Sequence, residues 1–211
     1  MFYRRYGTSS ALNVAIVDRN FNEIKQLLAE GADPNAPDEM GWRPLHVGIG
    51  QADPGVAAAL TQLLLKYGAR VNEWDAEHNE TPILTASDPP KPNTARILLA
   101  AGAEPNVVRS DGQSPLRLAV QANDLELANL LLEHGADRTI NEYGGIYGLT
   151  ALGLAAMDFN IPMIELLLQA GADPETIEEF GETARDKLPP RENYPPQEWD
   201  RVMDLLGRRR T

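Results

Sequence analysis

Asp111-Gly-Gln-Ser-Pro-Leu-Arg-Leu-Ala-Val-Gln-Ala-Asn-Asp-Leu-Glu-Leu-Ala-Asn-Leu-Leu-Leu-Glu-His-Gly-Ala-Asp-Arg-Thr-Ile140 is one copy of a pattern that runs through the 211-residue chain. It opens on a polar turn, Asp111-Gly112. Ser114 then offers an oxygen to the orphan amides of a helix start, and Pro115, which has no amide, suits the first helical position. Ala119 keeps this first helix thin. Leu130-Leu131-Leu132 gives a second helix its apolar stripe, and Gly135 tolerates the positive φ that ends it. Neither helix can bury its apolar face alone, so the unit is built to stack on copies of itself.

The copies are present. Gly31-Ala-Asp-Pro-Asn, Gly68-Ala-Arg-Val-Asn, Gly102-Ala-Glu-Pro-Asn, Gly135-Ala-Asp-Arg-Thr and Gly171-Ala-Asp-Pro-Glu follow one another at spacings of 37, 34, 33 and 36 residues. Each follows a leucine run: Leu27-Leu28, Leu63-Leu64-Leu65, Leu98-Leu99, Leu130-Leu131-Leu132 and Leu166-Leu167-Leu168. Between them recur Arg43-Pro-Leu-His46, Thr81-Pro-Ile-Leu84, Ser114-Pro-Leu-Arg117, Thr150-Ala-Leu-Gly153 and Thr183-Ala-Arg-Asp186.

Thr-Pro-Leu-His, then Ala, then Leu-Leu, then Gly-Ala-Asp at a period of about 33 residues resembles the ankyrin repeat. The resemblance covers roughly residues 10–206 and implies an all-α ankyrin-repeat solenoid, a single domain of about six turn–helix–loop–helix units. We place the units at about 8–36, 37–73, 74–107, 108–140, 141–176 and 177–211. The first, made polar by Asn13, Asp18 and Asn20, reads as an N-terminal cap. The last reads as a C-terminal cap, with a proline-rich stretch over 188–196 and a final helix from Gln197 to Leu206. Trp199, Val202, Met203 and Leu206 recur there at helical spacing and should close the core, leaving Arg208-Arg-Arg210 as a solvated tail. Departures from the motif leave its side-chain hydrogen bonds open: Arg43 replaces Thr, Leu84 and Arg117 replace His, and Thr150-Ala lacks the Pro. Gly50–Gly55 and Asn141–Tyr147 are insertions, and Asp88-Pro-Pro-Lys-Pro92 is a stiff crossing. In repeat proteins such insertions map to loops, often on the binding face.

Composition narrows the function classes. An apolar fraction of 43% and a charged fraction of 24% are those of a folded protein, and the absence of Cys excludes disulfides and thiolate chemistry. The net charge of −12 repels phosphate backbones and anionic lipid, and it would speed encounter with a basic partner. The longest apolar run, Val56–Leu60, is far short of the roughly 20 residues of a membrane span, and residues 1–10 do not read as a secretory signal. The expectation is a cytoplasmic protein that binds neither nucleic acid nor membrane.

No residue set carries catalysis. His46, His78 and His134 fall in three different units without ligand spacing, so no metal is expected. Phosphate-cradling glycine loops and Gly-x-Ser-x-Gly elbows are absent, and the paired acids lie in turns. We expect no enzyme activity and no cofactor.

Binding is then expected on the concave face of the array, where the turn tips gather aromatic and acidic residues. The candidate contact residues are Asp38, Glu39, Trp42, Trp74, Asp75, Glu77, Arg109, Tyr143, Tyr147, Glu178 and Phe180. Aromatic side chains dominate interface hot spots, and surrounding acids select a basic partner. The sequence therefore reads as a non-catalytic protein-binding module, monomeric on its own. Two alternatives stand beside it: an inhibitor or immunity protein neutralising a cognate toxin or enzyme, and a structural scaffold or assembly adaptor.

Overall fold

The computed structural model describes residues 11–75 and 79–207; Glu77, His78 and the Arg208–Arg210 tail lie outside them. The chain divides into two compact units, Met1–Glu104 and Pro105–Thr211. A stacked array packs each repeat only on its neighbours, so its core has no single centre.

The first unit holds α1 (Ala11–Val17), α2 (Phe21–Ala29), α3 (Pro44–Ile49), α4 (Pro54–Lys66), α5 (Pro82–Ser87) and α6 (Pro92–Ala100). Helices pair within each repeat, and α1 packs on α3, α3 on α5 and α4 on α6. The second unit holds α7 (Pro115–Gln121), α8 (Leu125–Glu133), α9 (Ala151–Met157) and α10 (Ile161–Gln169). Two short 3-10 turns, Ala184–Lys187 and Arg191–Asn193, lead to α11 (Pro196–Leu205). No strand occurs among the described residues; Asp75–Glu80 and Gly144–Leu149 form isolated bridges at hairpin bases.

The Leu-x-x-x-Gly-Ala grammar is one hydrogen-bonded device. At the end of α8 the Gly135 amide donates to the Leu132 carbonyl and the Ala136 amide to the Leu131 carbonyl, each at 3.0 Å. This is a Schellman closure, and it needs a left-handed residue, supplied by Gly135 at φ 86°. The same pair of bonds closes α2, α4, α6 and α10 through Ala32, Ala69, Ala103 and Ala172. The leucines buried by these helices include Leu28, Leu64, Leu98, Leu131 and Leu167. Each such burial stabilises by about 1.5–3 kcal/mol.

The first helices close in the same way on less usual residues. Arg19, Asn123 and Phe159 hold positive φ after α1, α7 and α9. The next residue, Asn20, Asp124 or Asn160, donates its amide back to the helix just ended. Its side chain then accepts from Glu23, Leu127 or Met163 and caps the following helix. One residue therefore ends one helix and starts the next. Phe159 adopts a conformation costly for an aromatic residue, and its ring lies 3.9 Å from that of Tyr194.

Successive repeats are also laced by asparagine. Asn35 Nδ2 donates to the Gly68 carbonyl at 3.0 Å, and its Oδ1 accepts the Arg70 amide at 2.7 Å. Asn72 does the same with Gly102 and Glu104, and Asn106 with Gly135 and Arg138. The fourth Gly-Ala motif carries Thr139 at that position, and Asn141 takes the contact instead, accepting the Asp173 amide at 2.8 Å.

Two cap readings are refined. Asn13 does not make α1 polar towards solvent. It is fully buried, and its amide donates to Asp38 Oδ2 and the Trp42 carbonyl, both at 2.9 Å. At the other end Val202 and Leu206 are buried, while Trp199 and Met203 are half-buried. Trp199 Nε1 donates to the Pro189 carbonyl at 3.2 Å.

Candidate partner-binding surface

The hairpins between repeats are set by one recurring bond, in which the residue opening the turn donates its amide across it. Asp38 donates to Trp42, Asp75 to Glu80, Arg109 to Gln113, Gly144 to Leu149 and Glu178 to Glu182, at 2.8–3.2 Å. An acid at this opening position turns inward. Asp38 Oδ1 accepts the Met40 and Trp42 amides at 3.0 Å, and Oδ2 accepts from Asn13 in the preceding repeat. Glu178 Oε1 accepts both the amide and the hydroxyl of Thr150, each at 2.8 Å. Thr150 Oγ1 in turn accepts the Gly153 amide at 3.0 Å and caps α9.

This geometry changes the sequence-based surface. Asp38, Asp75 and Glu178 are 8%, 1% and 3% exposed, so these carboxylates hold hairpins rather than facing outward. The sequence offered no sign of this for Glu178 and for Asp38 Oδ2, whose partners Thr150 and Asn13 lie on the preceding repeat. Trp42 is half-buried between the Asp38 turn and the α3 start. Arg109 is bound bidentate to Asp111 at 3.0 and 2.8 Å. That hydrogen-bonded guanidinium, with the Gln113 amide, holds the Asp111 carboxyl below its usual pKa despite some burial.

Glu39, Trp74, Tyr143, Tyr147 and Phe180 are exposed. Beside them on the tips stand Met40, Val108, Ile146 and Ile177, apolar residues outside the candidate set. Among the described residues, eight of the twelve exposed large apolar side chains lie on these hairpins, which marks the tips as the apolar part of the surface.

The departures from the repeat motif tie hairpins together. Arg43, where Thr is usual, donates to the Asn35 carbonyl at 2.7 Å and the Trp74 carbonyl at 3.2 Å, and it pairs with Glu73 at 3.4 Å. Arg117, where His is usual, is buried; Nη2 donates to the Gly144 carbonyl at 2.5 Å and Nε to Gln113 Oε1 at 3.4 Å. Burial lowers its pKa, while the charges of Glu178 and Asp111 oppose that shift.

His46 is buried, and His134 Nδ1 lies 2.9 Å from the Leu130 carbonyl. Among the described residues no group of three or more His, Cys, Asp or Glu could hold a metal ion. No helix among them is long and apolar enough to cross a membrane.

Residues 83–178 match the family model for ankyrin repeats in three copies. The chain is similar to human Neurogenic locus notch homolog protein 2, at 34% identity over 134 residues, 63% of this chain and 5% of that protein. It is similar to an ankyrin repeat-containing protein of Treponema pallidum (strain Nichols), at 31% identity over 149 residues, 71% of this chain and 47% of that one. The chain thus spans less than half the length of either relative. A solved structure is similar in fold: a chain in the complex of the predatory endopeptidase Bd0816 from Bdellovibrio bacteriovorus with immunity protein Bd3460. The TM-score is 0.72 at 24% identity, covering 97% of this chain and 100% of that chain.

Proposed function

This chain is an ankyrin-repeat protein, and from that premise we propose that it is a non-catalytic module capturing a partner protein on the hairpin tips of its two units. Ankyrin repeats are protein-binding elements, so what is proposed is the surface and the kind of partner. The carrying observation is the gathering of exposed apolar side chains on the tips, against hairpins whose bases are fixed by buried acids and arginines. Rigid presentation lowers the ordering cost of association, and exposed aromatics are the usual anchors. The tips are the face expected to be concave, and the net charge of −12 favours a basic or mixed partner. We further propose that the module acts as a monomer in the cytoplasm.

The structural likeness to a chain of an endopeptidase–immunity protein complex favours one specific form of this reading: neutralisation of a cognate enzyme or toxin. Affinity purification from the source cell with the full chain as bait tests both. The natural chain should retain a partner that Trp74→Ala combined with Phe180→Ala loses while melting at the same temperature. Equal recovery on both baits would overturn the tip surface. A captured enzyme whose rate is unchanged by the added chain would overturn the inhibitor form alone.

A further inference from the structure

The inserted hairpin of residues 141–149 is unlike the other tips. Ile146 is 83% exposed, the most exposed of the large apolar side chains among the described residues, and Tyr147 beside it is 47% exposed. An aliphatic and an aromatic side chain exposed together are a candidate contact spot. The hairpin beneath is fixed from both sides. Its base is closed by the Gly144 amide on the Leu149 carbonyl at 3.2 Å. From the preceding repeat, the Asp111 carbonyl accepts the Gly145 amide at 2.8 Å and Arg117 Nη2, on α7, donates to the Gly144 carbonyl at 2.5 Å. From the following hairpin, the Glu179 amide donates to the Gly148 carbonyl at 3.2 Å.

Space is as tight as the bonding. A Cβ on Gly144 would lie 2.7 Å from the Gly112 carbonyl oxygen. Gly145 and Gly148 take φ of 63° and 58° on either side of Ile146-Tyr147, conformations that glycine supplies without strain. The result is a two-residue apolar tip on a stiff finger. It is aimed outward by its neighbours and not folded back onto them.

Two exposed acids flank the finger. Glu142 and Glu179 are exposed and form no ion pair among the described residues, while the nearby Arg109 is committed to Asp111. A second copy of this acidic chain would meet like charge there.

We propose that Ile146 and Tyr147 insert as a finger into an apolar cleft of the partner protein whose rim carries Lys and Arg. This rests on the reading of the tips as the contact surface and adds which tip penetrates and what receives it. A convex apolar tip needs a concave apolar site, and the pre-fixed hairpin enters it without ordering cost. Glu142 and Glu179 then meet the basic rim.

The test places the photoreactive residue benzoylphenylalanine at position 146 of the full chain, with position 125 on α8 as control, and irradiates in the source cell. The crosslink from 146 is expected to map inside an apolar cleft flanked by Lys or Arg, with little from 125. With that partner purified, Ile146→Asp should weaken binding at least 100-fold without changing the melting temperature. Glu142→Lys with Glu179→Lys should weaken it at least tenfold and flatten its salt dependence. Crosslinking from 125 alone, a crosslink on a flat or acidic surface, or unchanged affinity of Ile146→Asp would overturn the finger while leaving a binding module. Failure of affinity purification to retain any partner would instead overturn the function proposed above.

Discussion

Glu178 and Thr150 are joined by two hydrogen bonds to a single carboxylate oxygen, each 2.8 Å long and both buried. The acid belongs to one hairpin and the threonine starts the first helix of the preceding repeat, so the pair fastens repeat to repeat at the base of the tip. Asp38 and Asn13 form the equivalent fastening in the first unit, at 2.9 Å.

Glu178→Ala should cost about 2–3 kcal/mol, because it strands a buried amide and hydroxyl that a charged acceptor had satisfied. Glu178→Gln, which keeps one acceptor oxygen, should recover part of that. Urea unfolding at neutral pH measures both. A loss below about 0.5 kcal/mol, the range of ordinary surface substitutions, would show the pair to be incidental.

Asn106→Ala removes the donor to Gly135 at 2.7 Å and the acceptor for Arg138 at 3.1 Å, both at the exposed surface. We expect a loss of about 1–2 kcal/mol in the same measurement. Asn106→Asp should be nearly as damaging, since a carboxylate cannot donate to the glycine carbonyl.

Arg117→Met should cost about 3 kcal/mol, as removal of one member of a buried charged cluster leaves the other uncompensated. Glu178 is that neighbour, so Arg117→Met with Glu178→Gln should cost less than the two singles together by at least about 0.5 kcal/mol. Strict additivity would show that the two charges do not sense one another.

Lys91 is 5% exposed between α5 and α6, with Nζ 3.4 Å from the Pro89 carbonyl. Burial lowers its pKa from 10.5, and Asp88 offsets only part of this. A lysine pKa that is lower in the folded state penalises folding whenever the unfolded chain is protonated. The penalty is full below the folded pKa and is relieved as pH rises from there towards 10.5. Lys91→Met should therefore stabilise at neutral pH, by up to about 1 kcal/mol, and flatten that alkaline gain. Thermal melts across pH 7–10.5 would show it, and parallel profiles for the two proteins would refute it.

Much of the fold was legible in the chain because it is locally encoded. Ser114 caps the helix that Pro115 begins, Leu131 is closed by Ala136, and α11 falls within a residue of its expected limits. These bonds span three to five residues, so their grammar is written in one short window and repeats with the period. The asparagine lacing was within reach too, since Asn35, Asn72 and Asn106 each stand four residues after a glycine.

The surface was legible only in part. Trp74, Tyr143, Tyr147 and Phe180 are exposed as their turn positions suggested. The acids divided in a way the sequence did not show: Glu179 faces solvent and Glu178 beside it faces Thr150. Nothing in the pair Glu178-Glu179 distinguishes the two; the deciding contact lies 28 residues away on another repeat. Nor does the sequence mark Ile146, whose exposure follows from the glycines that clamp its hairpin between two neighbours. The repeat, its helices and their closures follow from the chain alone, because those interactions are local. Which tip side chains are consumed in fastening the repeats and which stay exposed is settled only by the fold, because that choice depends on what the adjacent repeat offers.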